Sequence, residues 1–519
     1  MFKKILPYKK LLLESLFFIA ILGLFLFIST KLLLGPYNFS RAINIYDEGV
    51  LLTGAKRFAQ GEIPYKDFWT IYTPLNCLSL GWIFKIFGQS VYIERLFNLI
   101  ISLAGLSAIY ALLRTKTKFV YAGIACLFFA FLASPIKITH LFIFSALIAI
   151  FYLVENRNSK LTPIICGAIC GLGFINRFDF GGLMGAISVI SFLLIYKSDY
   201  KQFFKQILRF SLGFFVIILP VILWLVNEGA LKDMIEQTIL YPFLGNYSAM
   251  RTLPFPEISA GAGRLKDTIY NFFNLFFPVL IIAFSLLKLF ISKKKESIQT
   301  ILIILVVIGT IPYLFSRSDA PHFNFINILA LTLFFYTVFS IKNFKFKHFA
   351  ISLLIPLFLI SRPLLTQIRE TQNFNNLPSK EYSFYSEPLA KTAQNDTLEK
   401  VYEYIKTNTK PSDPIYIGLY DHTRIFTNNA LLYFLLPNKI ATKYHELHPG
   451  ITNTTEVQKT MIQELRQAKY IILWDNFLCE KNESCKSSEA KSLDEYIKNN
   501  YLEIAQFPGY KILKKSANP

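Results

Sequence analysis

Residues 207–227 read Ile-Leu-Arg-Phe-Ser-Leu-Gly-Phe-Phe-Val-Ile-Ile-Leu-Pro-Val-Ile-Leu-Trp-Leu-Val-Asn, and Arg209 is the one charged side chain among them. A helix of about 20 such residues crosses the hydrocarbon core of a bilayer. Apolar runs of this kind fill the first 360 or so positions and then stop. The 519 residues are 53% hydrophobic and 17% charged, against about 25% charged in a soluble domain. The composition excludes a secreted soluble enzyme, a disordered chain and a fibrous repeat, and it indicates a polytopic membrane protein with a polar tail.

The orientation of the chain follows from where the basic residues lie. The run at 75–90 is short and contains Lys85, so it is either a brief span or an amphipathic helix at the interface. If it stays outside, the clusters of Lys and Arg between the other runs all fall in inside loops, as the positive-inside rule requires. These clusters account for the net charge of +20 without a nucleic-acid partner. We therefore predict a cytoplasmic N-terminus, an extracytoplasmic tail and eleven spans, at about 11–34, 93–113, 118–134, 138–154, 161–178, 180–196, 207–227, 268–291, 298–316, 323–341 and 347–362.

The tail has the pattern of a soluble α/β unit. Helical patterns alternate with the apolar strands 415–419 and 470–474, and Pro508-Gly509 marks a hairpin near the end. The sequence therefore predicts an α-helical transmembrane domain at 1–365, whose first extracytoplasmic loop is 35–92, and a small α/β extracytoplasmic domain at 379–519. Cys479 and Cys485 in the tail either form a disulfide or remain free thiols.

Asp47 and Glu48 are the strongest chemical signal, because a carboxylate beside a membrane is costly unless it is partnered or solvated. At the surface of a cavity, Asp47 can accept a proton from an acceptor hydroxyl. The alternative is an acidic pair in the first turn of a helix over 49–58, where the helix dipole favours negative charge. Spacing alone leaves both interpretations open.

The order of several short motifs resembles the GT-C glycosyltransferases, in particular the branch with the protein O-mannosyltransferases and the lipid A aminoarabinose transferase. The motifs are Tyr46-Asp-Glu-Gly, Ala55-Lys-Arg-Phe-Ala-Gln-Gly-Glu-Ile-Pro-Tyr-Lys-Asp-Phe, Tyr72-Thr-Pro-Leu, Phe87-Gly-Gln-Ser and Arg95-Leu, with later pieces at 176–181, 251–256 and 316–322. The resemblance implies transfer of a sugar from a polyprenyl-phosphate carrier on the periplasmic face of the bacterial inner membrane. It also implies a glycan, lipid or protein acceptor.

Carried over by position, the resemblance makes Asp47 the catalytic acidic residue and Glu48 its neighbour. It places Arg95, Arg317 and His322 near the carrier phosphate. Tyr72 matches the start of the segment that opens the juxtamembrane helix.

One departure concerns the link at 134–140, which lacks the acidic residue that many relatives carry there. Asp179 or Glu48 is the expected substitute. We assign no residue as a metal ligand, and the sequence leaves open whether a divalent metal serves as a cofactor.

Leaving-group chemistry supports the basic candidates, because the charge that grows on a departing phosphate needs cations directed at it. Arginine offers planar, bidentate phosphate contacts, so Arg95, Arg177 and Arg317 are candidate donor-phosphate ligands. The alternative for each is an interfacial arginine that snorkels to the membrane surface or pairs with a carboxylate. Lys66 is a candidate substrate contact or a simple interface anchor. The resulting hypothesis is an inverting glycosyltransferase with Asp47 as general base. The alternatives are a transporter or flippase of lipid-linked sugars, which would need polar groups near mid-membrane, and a non-catalytic polytopic scaffold.

Overall fold

The fold is described by a computed structural model that covers residues 2–30, 44–132, 135–241, 262–292, 297–315, 320–341, 345–361, 365, 393–425, 428–475 and 486–516. Six helices among them are long and apolar enough to cross a membrane. The protein is therefore a multi-pass membrane protein with a small C-terminal sheet. The count of eleven spans, the orientation of the termini and the division at 365/379 stay predictions.

The helices in chain order are α1 (Phe2–Thr30), α2 (Asp47–Ala59), α3 (Pro74–Phe87), α4 (Val91–Arg114), α5 (Phe119–Leu127), α6 (Ile138–Glu155), α7 (Thr162–Asn176), α8 (Phe178–Ile195), α9 (Tyr200–Asn227), α10 (Leu231–Ile235), α11 (Ala262–Ser292), α12 (Ser297–Thr310), α13 (Ala320–Phe339), α14 (Phe346–Ser352), α15 (Ala393–Asn408), α16 (Ala430–Leu435), α17 (Thr455–Leu465) and α18 (Ser492–Asn500). A π-helical turn at Glu236–Leu240 follows α10.

The chain divides into two compact units. The first, here the membrane unit, comprises Met1–Phe39, Arg95–Pro220 and Leu253–Asn375. The second, the loop–tail unit, comprises Ser40–Glu94, Val221–Thr252 and Asn376–Pro519. Segments that are distant in the sequence thus fold together in each unit.

Within the membrane unit, α7 and α9 approach each other through glycines. A Cβ on Gly167 would lie 2.0 Å from the carbonyl oxygen of Phe210, and a Cβ on Gly213 would lie 1.9 Å from that of Ile164. Helix pairs in membranes gain little from the hydrophobic effect and rely on such close backbone contact. The two glycines therefore explain why these helices can pack so tightly.

The tail of the loop–tail unit contains a four-stranded sheet in the order β1-β2-β4-β3. Its strands are β1 (Ile415–Leu419), β2 (Tyr470–Trp474), β3 (Tyr501–Phe507) and β4 (Tyr510–Lys515). β1 and β2 are parallel and buried along their whole length, as continuous apolar strands usually are. β4 pairs antiparallel with both β2 and β3. The predicted small α/β unit of the tail and its terminal hairpin are confirmed.

The first loop and the tail are joined where α2 packs on α16. A Cβ on Gly49 would lie 2.4 Å from the backbone nitrogen of Leu431, so only glycine permits this approach. The Leu431 amide donates a hydrogen bond to the Ile45 carbonyl at 3.0 Å, and Thr53 Oγ1 donates to the Ala430 carbonyl at 2.9 Å. The helix that carries Asp47 is thereby anchored on the tail.

Candidate active site

Asp47 and Glu48 lie in the first turn of α2, where Asn44 organises both. The Asn44 side-chain amide donates to Asp47 Oδ2 at 3.0 Å, and its backbone amide donates to Glu48 Oε2 at 2.8 Å. Asn44 Oδ1 in turn accepts from the Asp47 amide at 2.8 Å. Asp47 is exposed to solvent and Glu48 is half-buried. The acidic pair is thus a helix-start pair, and its exposed member is still able to accept a proton.

A third carboxyl group, on Glu446 of the tail, interacts electrostatically with Asp47. The Tyr46 hydroxyl donates to the carbonyl of the adjacent Leu447 at 3.4 Å. Glu446 itself is 0% exposed, and neither of its carboxyl oxygens meets a hydrogen-bond donor in good geometry among the described residues. Burial, and after it the charge of Asp47, raises the pKa of Glu446 to about 8, while the nearby Tyr46 hydroxyl opposes this shift.

Lys56 is a buried cation on the same helix, and it donates hydrogen bonds to carbonyl groups at the C-terminal end of α16. Its Nζ donates to the carbonyls of Tyr433, Phe434 and Leu436 at 3.0, 3.1 and 2.6 Å. Carbonyls at a helix C-terminus lack internal partners and are stabilised by a cation. Burial lowers the pKa of Lys56 to about 8, an effect that the Glu62 charge partly offsets. Lys56 therefore stabilises the packing of α2 on the tail.

Arg57 is engaged in a similar way. Its Nε donates to Glu62 Oε2 at 2.7 Å, its Nη1 to the Thr442 carbonyl at 3.2 Å and its Nη2 to the Asp67 carbonyl at 2.9 Å. Nη1 also lies 3.4 Å from Nδ1 of the buried His445. These contacts make Arg57 a structural link between the loop and the tail.

Tyr72 and Lys66 belong to one turn of the first loop. Tyr65, which adopts a left-handed φ of 72°, donates its hydroxyl hydrogen to the Tyr72 carbonyl at 2.8 Å. Gln237, in the π-helical turn, donates to the Tyr65 carbonyl at 2.9 Å and accepts from the Thr70 amide at 3.1 Å. Lys66 is exposed at the tip of this turn. A backbone held in a sparsely populated conformation is typical of functional loops.

In the membrane unit, three predicted residues meet around the ring of Tyr313. Arg177 donates to Asp179 from Nε at 3.1 Å and from Nη2 at 2.6 Å. Its guanidinium carbon lies 4.5 Å from the centroids of the Tyr313 and Phe180 rings. The His322 ring lies 4.4 Å from the Tyr313 ring. Arg177, Asp179 and His322 are thus brought together as one cluster.

The other predicted residues lie apart from this cluster or outside the described residues. Arg95 is half-buried near the start of α4. Arg317 lies outside the described residues, as do Cys479 and Cys485. No group of three or more His, Cys, Asp or Glu residues in the described part of the chain is arranged to hold a metal ion. The sequence prediction missed Glu446, Lys56 and Arg57.

Comparisons by sequence identify no relatives, since no family model and no curated protein matches the chain. Comparison of structures identifies similar proteins. The chain is similar to ArnT from Cupriavidus metallidurans in the apo state, with a TM-score of 0.59 and 13% identity over 97% of this chain and 98% of that one. The same enzyme bound to undecaprenyl phosphate matches with a TM-score of 0.57 and 12% identity over the same shares of the two chains.

A second similar structure is the oligosaccharyltransferase of Archaeoglobus fulgidus tethered to an acceptor peptide. It matches with a TM-score of 0.51 and 12% identity, over 94% of this chain and 72% of that one. ArnT, a lipid A aminoarabinose transferase, and this oligosaccharyltransferase are both members of the GT-C superfamily. The resemblance read from the loop motifs is therefore confirmed at the level of the fold, which this chain shares with both proteins.

Proposed function

We propose that the protein transfers a sugar from a polyprenyl-phosphate-linked donor to a lipid, glycan or protein acceptor. The observation that carries the proposal is the shared fold with ArnT over nearly the whole of both chains, in a structure that holds undecaprenyl phosphate. The exposed carboxylate of Asp47 at the start of α2 supplies the base that such a reaction needs.

In this mechanism Asp47 accepts the proton of an acceptor hydroxyl or amine as that group attacks the anomeric carbon of the sugar. The bond between the anomeric carbon and the phosphate oxygen breaks, and polyprenyl phosphate leaves. Attack opposite the leaving group inverts the anomeric configuration. General base catalysis of this kind contributes about 10²–10⁴-fold in rate.

The departing phosphate is assigned to Arg95, Arg177, Arg317 and His322. Two of the five N–H donors of the Arg177 guanidinium bind Asp179, which leaves others to bind phosphate oxygens. Asp179 orients Arg177, and stacking on Tyr313 and Phe180 restricts its movement further. Glu48 is assigned to catalysis with Asp47, and Tyr72, Asp179 and Lys66 are assigned to substrate binding.

The test is an assay of purified protein with a panel of undecaprenyl-phosphate sugars that carry a radiolabelled sugar. We expect wild-type protein to consume one of these donors and D47N to lose at least about 100-fold in rate. E495Q, which changes an exposed carboxylate on α18, is the control and should retain the wild-type rate. Full activity of D47N rejects Asp47 as the base. Movement of the donor across vesicles without its consumption would indicate the flippase instead.

The proposed orientation places the first loop in the periplasm and the N-terminus in the cytoplasm. Lys66 is exposed in that loop, so K66C in a cysteine-free background should react with an impermeant maleimide added to intact spheroplasts. Labelling that requires membrane permeabilisation would place the loop in the cytoplasm and overturn the proposal.

A further inference from the structure

The carboxyl group of Glu446 needs a physical explanation. It is 0% exposed, and neither oxygen finds a well-oriented donor in the parts of the chain that the structure describes. Buried carboxylates are rarely tolerated unless they are paired or hydrogen-bonded, because the charged form loses its hydration. A group in these surroundings retains its proton.

The titratable groups that interact electrostatically with Glu446 come from the start of α2 and from α3. Asp47, and Tyr46 just before it, belong to the start of α2, and Cys77 belongs to α3. Burial, together with the Glu446 charge, raises the pKa of the Cys77 thiol to about 12, so Cys77 is neutral at physiological pH. Asp47 is therefore the ionisable partner of Glu446.

The two carboxyl groups have opposite environments. Asp47 is exposed and accepts a hydrogen bond from Asn44 at 3.0 Å, whereas Glu446 is fully buried. When environments separate a pair of acids in this way, the buried one holds the proton and the solvated one acts as the base.

We infer that Glu446 is a positioning residue, a buried acid that keeps its own proton and so adds no second negative charge at the start of α2, where Asp47 accepts the acceptor's proton. This inference rests on the proposed function of Asp47. The proton balance is simple, because the acceptor's proton moves to Asp47 while Glu446 keeps its own. At alkaline pH, Glu446 loses its proton, and its unpaired buried charge draws in water and displaces the start of α2.

The first test is direct and does not depend on activity. An infrared titration of the full-length protein should show the carbonyl band of a protonated carboxyl group that disappears with a midpoint near pH 8, the pKa of Glu446. The band should be missing from E446Q and present in E495Q. An E446Q spectrum that retains the band, or wild-type protein without it at pH 6 to 7, overturns the inference.

The second test is the pH–rate profile of sugar transfer with the same radiolabelled donors. E446Q places a neutral amide where the neutral acid was, so its rate at pH 6 to 7 should stay within about twofold of wild type, and the alkaline decline near pH 8 should vanish. An alkaline decline that persists in E446Q, or an equal loss at every pH, assigns Glu446 a merely structural role and overturns the inference. If D47N is fully active, the proposed function fails, and the infrared test still measures the protonation of Glu446. If D47N is inactive but the infrared titration shows that Glu446 is ionised, the inference alone is rejected.

Discussion

Replacing Lys56 by Met tests the junction between the first loop and the tail. Lys56 is 5% exposed, and its Nζ is the shared donor to the carbonyls of Tyr433, Phe434 and Leu436. Met has a similar length and an apolar end, so K56M removes the donor with little change in volume. The three carbonyls then face a buried thioether.

The magnitude follows from two opposing terms. A hydrogen bond to a charged group contributes about 1.5–3 kcal/mol, so the three bonds of Lys56 together contribute roughly 5–9 kcal/mol. Burial of the ammonium group lowers its pKa from 10.5 to about 8, and at about 1.4 kcal/mol per pKa unit this costs about 3.5 kcal/mol. The difference predicts that K56M lowers the free energy of unfolding by roughly 1–5 kcal/mol.

The assay is thermal unfolding of the detergent-purified protein followed by tryptophan fluorescence. All four tryptophans, Trp69, Trp82, Trp224 and Trp474, belong to the loop–tail unit, so the signal reports on the unit that contains Lys56. K459M, on an exposed lysine of α17, is the matched control and should melt like wild type.

The pH dependence supplies a second signature. Because the pKa of Lys56 is lower in the folded protein than in the unfolded chain, the unfolded state binds more protons between pH 8 and 10.5. Lys56 therefore makes the wild-type unit gain stability as pH rises through this window. K56M should lose that gain. Equal melting temperatures with an unchanged pH dependence would refute the reasoning.

Two further substitutions test the packing of the same unit. G49A would place a Cβ 2.4 Å from the Leu431 nitrogen, and a backbone atom cannot move aside as a flexible side chain does. We therefore expect the free energy of unfolding to fall by about 1–3 kcal/mol in the same fluorescence assay. A wild-type melting curve would contradict the close contact. Y416F removes the buried hydroxyl that lies 2.8 Å from His422 Nε2, and denaturant unfolding should show a loss of about 1 kcal/mol, whereas an unchanged midpoint would mean that this bond contributes nothing.

Much of the local structure can be read from the sequence. The apolar pattern predicts β1 and β2 with the bounds that the structure has, at Ile415–Leu419 and Tyr470–Trp474. It also predicts the helix that begins at Asp47 to within two residues. These features depend on periodicity and on turn residues, which act over a few neighbouring positions. The short helix α16 escaped prediction because its six residues are too few to show a period.

The surroundings of the candidate base could be decided only by the tertiary structure. In sequence, Tyr444-His-Glu-Leu-His448 is a polar stretch typical of a surface loop, and Lys56 looks like an ordinary solvated lysine. In the fold, Lys56 meets carbonyls 377 to 380 positions away, and Glu446 is enclosed next to the start of α2. Whether a side chain is buried or paired with a charge depends on the groups that surround it. Those groups come from segments that are distant in the sequence, and no local sequence pattern predicts that these segments pack together. The sequence determined which acids and bases the protein has, and the fold determined which of them are buried.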